Sequence, residues 1–235
     1  MSLPFQRPFA LADASQVSAA FRHCSSSFAE PGLPFDASDH PHSALDKVPP
    51  TAAYFRTQYS PDFQLEKIFT VIKQMEADGV IGRYAIGGAV GSIFWLEPIT
   101  TKDVDVFVML PTTPGGLLLT LGPIYEYLMA RGYMPNEQFV VIEGWAVEFL
   151  PPGTPLVEEA LEQAVERDVN GVGTRVFTAD HLAAICLQVG RAKDHDRLMR
   201  FIEAGVLDAE VFEAILIRHG LTDKWAAFQT SYLES

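Results

Sequence analysis

The chain has 235 residues, of which 48% are hydrophobic and 20% charged, and its formal net charge is −13. That length can bury a sizeable core in one large domain or two small ones. A field of that sign repels phosphate backbones and disfavours generic nucleic-acid binding, and no apolar run approaches the ~20 residues that span a bilayer.

Residues 1–58 hold seven of the sixteen prolines and the run Ser25-Ser26-Ser27 beside Cys24. They read as an extended N-terminal arm, with one short helix over about 14–28 that Asp13 caps and Gln16 completes as a capping box. Pro4, Gln6, Arg7 and Pro8 interrupt the start, which therefore lacks the apolar h-region of a signal peptide. With only Cys24 and Cys186 available, the expectation is a cytoplasmic protein with reduced thiols and no disulfide framework. His40 and His42 lie in this loop-rich arm and are not expected to hold a metal.

Regular structure is expected from Ser60-Pro61, an N-cap followed by proline at the first helical position. Leu65, Ile68, Ile72 and Met75 share one face of a helix that Gly79 ends. Tyr84 to Ile86 form a strand running into Gly87-Gly88, and Ala89 to Leu96 a short helix. Val104, Val106 and Val108 alternate along a second strand. A helical stretch over about 117–131 follows, kinked or restarted at Gly122-Pro123 and closed by Gly132. Residues 139–142 and 145–150 pair as a hairpin turning at Glu143-Gly144. Beyond Pro151-Pro152 the pattern is mainly helical: about 156–167, 179–190, 191–204, 208–219 and 222–231, with one short strand at 175–177. The result is an α/β N-terminal half and a helical C-terminal half.

The informative residues lie between 86 and 108. Asp103 and Asp105, at i and i+2 on a strand, point to one face of the sheet, while the three valines point to the other. A carboxylate in an otherwise apolar strand is costly unless something compensates it. A hard divalent cation does so, and magnesium favours carboxylates together with nucleotide phosphates. Gly87-Gly88, between a strand and a helix start, lets backbone N–H groups approach a triphosphate, and Ser92 lies one turn into that helix. Six of the seventeen basic residues fall between Arg167 and Arg200. On the helix after Arg191, Lys193–Asp196 and Asp194–Arg197 have i, i+3 pairing distance.

Gly87-Gly88 followed by Thr101-Lys102-Asp103-Val104-Asp105 resembles the signature of the polymerase-β-type nucleotidyltransferase superfamily. The nearest branch is the small bacterial one that includes toxin–antitoxin and antibiotic-modifying nucleotidyltransferases. The resemblance spans roughly residues 62–205. It implies a mixed sheet with flanking helices followed by a helical C-terminal part, with a nucleotidyltransferase-like core over 59–155 and a mainly helical region over 156–235. It also implies a third acid on a neighbouring strand, and Glu148 matches; alternation alone leaves Glu148 open as either a ligand or a surface residue. Arg191-Ala192-Lys193-Asp194 is similar to the family's Arg-x-Lys-Asp pattern, with the second Asp one place early at Asp196.

By that resemblance Asp103, Asp105 and Glu148 are the catalytic and metal-binding residues, holding two magnesium ions, with manganese as the alternative. Gly87, Gly88, Ser92, Arg191 and Lys193 are the nucleotide-binding residues. The implied reaction moves a nucleoside monophosphate from a nucleoside triphosphate to a hydroxyl of a small molecule, an RNA end or a protein. A tRNA acceptor and a protein partner stay open, and no membrane partner is expected. The alternative is a non-catalytic nucleotide-binding or protein-interaction member of the same fold. The chain departs from the family at Pro98-Ile99-Thr100, where a basic residue is common, at Cys186, where a lysine is common, and at Glu148, where Asp is commoner.

Overall fold

The computed structural model describes residues 65–97, 101–111 and 120–233. The expected arm over 1–58, its helix over 14–28 and the Ser60-Pro61 helix start lie outside these residues. So do Cys24, His40, His42 and the segment Pro98-Ile99-Thr100.

Helix α1 (Leu65–Ala77) buries Leu65, Ile68, Phe69, Ile72 and Met75 along one stripe, and Gly79 follows its end at φ +72°. Strand β1 (Tyr84–Ile86) is buried throughout and leads into α2 (Gly88–Ile93). Strand β2 (Asp103–Val108) alternates half-buried and buried positions, with the three valines fully buried. Helix α3 (Gly122–Met129) begins with Pro123 in its first turn, where a missing N–H costs nothing; residues 112–119, the start of the expected helical stretch, lie outside the described residues. A two-residue strand β3 (Pro135–Asn136) precedes the hairpin of β4 (Phe139–Ile142) and β5 (Trp145–Leu150). Glu143 and Gly144 make its turn at φ +50° and +87°.

The segment after residue 155 differs from the expected helix over 156–167. Helix α4 (Pro155–Glu162), capped by Thr154 accepting from Val157 N, stops early. Val165–Val169 then forms β6, paired antiparallel with β7 (Val172–Val176). Asn170 and Gly171 turn this hairpin at φ +52° and +85°. An Asn-Gly pair is a turn signal for two-residue hairpins because both residues tolerate positive φ, and it overrides the weak helical pattern of Glu158 to Arg167. The expected strand at 175–177 is the end of this longer β7.

Four helices complete the chain. Helix α5 (Ala179–Val189) is capped by Thr178 and closed by Gly190 in the left-handed region. Then come α6 (Ala192–Glu203), α7 (Ala209–Arg218), capped by Asp208, and α8 (Thr222–Tyr232).

The strands form one seven-stranded mixed sheet of order β3-β4-β5-β2-β1-β7-β6. Strand β2 is central, antiparallel to β1 and parallel to β5. One face carries Tyr84, Ile86, Val104, Val106, Val108, Val147 and Phe149 packed with α1 and α3. The other carries Ala85, Phe107 and Phe177 against α4 to α8. A two-layer covering follows from strict alternation: each strand supplies one apolar set per face. Among the described residues no helix is long and apolar enough to cross a membrane.

Candidate active site

Asp103 and Asp105 lie on the face opposite the valines, on the side covered by α5 and α6. The parallel register sets Asp105 directly beside Glu148 of β5, and Asp103 beside Ala146. Residues in register point the same way, so three acids from two adjacent central strands share one face. Thr101 Oγ1 donates to Asp103 Oδ1 at 2.9 Å and orients that carboxylate.

The glycine pair meets the acids from β1. Gly87 N donates to the Asp105 carbonyl at 3.0 Å. Gly88 sits at φ +55°, and a Cβ there would lie 1.6 Å from Asp105 Oδ2. Both facts require glycine: the backbone is left-handed and is pressed against the carboxylate. At Gly87 a Cβ would lie 2.5 Å from the Phe107 ring, so the whole turn is moulded around β2.

Burial pushes the Asp105 carboxyl up to about 6, and the neighbouring charges of Asp103 and Glu148 push the same way; Arg197 and Lys193 oppose them. Glu148 is also raised, by burial and then by Asp103. Like charges gathered on a half-buried face destabilise one another, and such arrangements concentrate at functional sites.

The remaining expected residues fall into two groups. Lys193 and Arg191 both reach the field of Asp105 from the start of α6. Lys193 is exposed. Arg191 is held by Asp194, which accepts from its backbone N at 3.2 Å, from Nε at 2.6 Å and from Nη2 at 3.2 Å. Asp194 is therefore committed to Arg191 and forms no ion pair with Arg197, contrary to the i, i+3 pairing expected; the carboxylate serves the helix start instead. Ser92 is not brought to the surface beside the acids. It is fully buried, and its hydroxyl donates to the Gly88 carbonyl at 2.7 Å.

Two residues to which the sequence pattern assigned no place in the site belong to the surroundings of the acids. Arg197 lowers the Asp105 carboxyl ahead of Lys193, and it lies against the Cys186 thiol of α5. Burial pushes that thiol up to about 11, so it is neutral and unreactive at physiological pH. The signal for Arg197 was present: it lies four residues after Lys193 and so shares its helix face.

Among the described residues no group of three or more His, Cys, Asp and Glu side chains forms a ready-made metal cage. Oxygen donors on one face of two strands nonetheless suit magnesium, which retains waters and needs only one or two carboxylates beside substrate phosphates.

No protein-family model matches the chain, and no curated protein matches it in sequence. Among solved structures it is similar to an antigenic nucleotidyltransferase-like protein from Paracoccidioides brasiliensis. That match has a TM-score of 0.55 and 14% identity, and covers 73% of this chain and 89% of that one. The solution structure of the antibiotic-resistance factor ANT(2'')-Ia is similar at a TM-score of 0.43 and 13% identity, over 73% of this chain and 98% of that one. ANT(2'')-Ia in complex with adenylyl-2''-tobramycin gives 0.42 and 14%, over 70% and 98%. These two likenesses are too loose to carry the fold assignment, which stands on the first. The chain has a nucleotidyltransferase-like fold: a seven-stranded mixed sheet, flanking helices and a helical C-terminal part.

Proposed function

We propose that this protein is a metal-dependent nucleotidyltransferase that moves a nucleoside monophosphate from a nucleoside triphosphate to a hydroxyl acceptor. The observation that carries the reading is the set of three acids, Asp103, Asp105 and Glu148, on one face of β2 and β5 with Gly88 pressed against Asp105. Asp103 and Asp105 would hold magnesium, with Glu148 as the third oxygen donor. Bound magnesium would lower the pKa of the attacking hydroxyl and neutralise charge on the pyrophosphate leaving group.

The chain's own residues do the rest. Thr101 fixes the Asp103 carboxylate, Gly87 and Gly88 let backbone approach the phosphates, and Lys193 adds positive charge from α6. Positioning and fixed electrostatics of this kind carry most of the rate in phosphoryl and nucleotidyl transfer. The net charge of −13 argues against a polyanionic acceptor, so a small-molecule or protein hydroxyl is the acceptor class we favour.

A second reading, nucleotide binding without transfer, draws on the buried Cys186 thiol, which stands where the family commonly carries a lysine. Calorimetric titration with each of the four nucleoside triphosphates, with and without magnesium, tests the site. The expected outcome is magnesium-dependent binding that an Asp103→Asn, Asp105→Asn double variant loses. A folded wild-type sample that binds no triphosphate overturns the proposal, and binding without pyrophosphate release in the presence of candidate acceptors favours the second reading.

A further inference from the structure

The basic residues between 167 and 200 are sorted by what holds them. Arg175 makes two hydrogen bonds to Glu76, both of 2.8 Å. Arg167 donates to the Glu166 carbonyl at 2.9 Å and lies over the Trp95 ring, 4.5 Å from its centroid. Arg191 is fastened to Asp194 through both its Nε and Nη2.

Arg197 is different. Among the described residues, its Nε is the one buried side-chain nitrogen or oxygen without a hydrogen-bond partner. Arg197 forms no ion pair with a described carboxylate. The group it lies against, the buried Cys186 thiol, is a poor acceptor and carries no charge to balance a guanidinium. Asp194, three residues before it on the same helix, is already engaged by Arg191.

A half-buried guanidinium left this way is costly. With Nε sealed against α5, the fork is fixed at its root, and the terminal nitrogens are the donors that remain to meet an outside acceptor. The charge of this fork acts on Asp105 more strongly than that of Lys193. A planar, pre-placed guanidinium beside a cluster of carboxylates matches an anion that arrives with a metal, and phosphate oxygens match its geometry.

We infer that Arg197, rather than Arg191, is the guanidinium that takes a phosphate oxygen of the bound nucleoside triphosphate. This rests on the proposed nucleotide site. Arg191 then acts through Asp194 as a clamp on the start of α6, and Arg197 as the phosphate contact.

The test compares wild type, Arg197→Gln, Arg197→Lys and Arg191→Gln by calorimetric titration. The probes are the magnesium complex of whichever triphosphate wild type binds and the corresponding nucleoside without phosphates; thermal unfolding serves as the check on folding. Arg197→Gln is expected to weaken the triphosphate by about 10- to 100-fold while leaving nucleoside affinity in place, a split that a merely structural role would not produce. Arg197→Lys, which keeps the charge, is expected to recover part of the loss. Arg191→Gln is expected to lower the unfolding temperature and to weaken the triphosphate less than Arg197→Gln does. If wild type binds and Arg191→Gln weakens the triphosphate as much as Arg197→Gln or more, the inference is overturned while the site reading stands. It is overturned in the same way if Arg197→Gln weakens nucleoside and triphosphate equally. If wild type binds no triphosphate, the site reading itself fails, and the inference with it.

Discussion

Two carboxylates, Asp105 and Glu159, sit in opposite surroundings. Asp105 faces Asp103 and Glu148, and its carboxyl is pushed up to about 6, first by burial and then by those acids. Glu159, on α4, gathers hydrogen-bond partners: Arg218 Nη2 at 2.5 Å, His219 Nε2 at 2.7 Å and His181 Nε2 at 3.3 Å. The Arg218 hydrogen bond is the largest of the causes that hold its carboxyl at about 2. A carboxyl held high is a cost to the fold at neutral pH, and one held low is a gain. Glu159 therefore ties α4, α5 and α7 together, and the acid cluster has no comparable structural justification. Stability lost at one place and recovered at another is the usual mark of a working site.

The contrast can be broken most sharply at the acids. Asp103→Asn or Asp105→Asn is expected to lower magnesium-dependent nucleotidyl transfer by about 1000-fold or more, while the metal-free unfolding temperature holds or rises. A variant that transfers at near wild-type rate, or that loses stability without losing nucleotide binding, would make the cluster structural and erase the distinction. Gly88→Ala probes the same site through the backbone. The left-handed φ and the collision with Asp105 Oδ2 together should cost about 3 kcal/mol in urea denaturation, and magnesium-dependent binding should weaken with it.

At the other pole, Glu159→Gln should cost about 1–2 kcal/mol by loss of charge-assisted hydrogen bonds, with nucleotide binding unaffected. The pH profile sharpens this. Burial holds His181 below its ordinary 6.5, so the unfolded chain takes up a proton there first as pH falls. Glu159 is held below its ordinary 4.5, so its contribution, present above that value, is lost between about 4.5 and 2. Both signs lower stability on acidification, and the lower part of that loss should be blunted in Glu159→Gln. A stability profile of the variant that overlays wild type from pH 6 to 3 would remove the hub from this account.

Much of the fold was legible because its signals are local. Leu65, Ile68, Ile72 and Met75 declare α1 by their spacing, the valines of β2 declare both a buried face and its opposite, and Glu143-Gly144 announces the β4–β5 turn. The β6–β7 hairpin was hidden by the apolar helix running into it, although Asn170-Gly171 carried the clue. Within the site, the i, i+2 spacing fixed the common face of Asp103 and Asp105. What strand periodicity could not supply was register, which sets Glu148 against Asp105 across a parallel connection of some forty residues. Ser92 and Arg197 show the same limit on helices: position on a face does not say whether a hydroxyl is taken up by a carbonyl four residues back or a guanidinium is left unpaired. The Glu159 hub was invisible for a related reason, since its partners at 181, 218 and 219 are joined only by packing.

The contact between Gly88 and Asp105 also constrains how this protein can change over generations. A side chain at position 88 has no room while a carboxylate stands at 105, and shortening residue 105 still leaves position 88 in a backbone shape that disfavours anything but glycine. The two positions are thus ordered in descent: the acid can be lost first, with the glycine surviving as its imprint. A relative that keeps the glycine pair but has replaced the acid would be readable as a lineage that once carried this contact and lost the carboxylate.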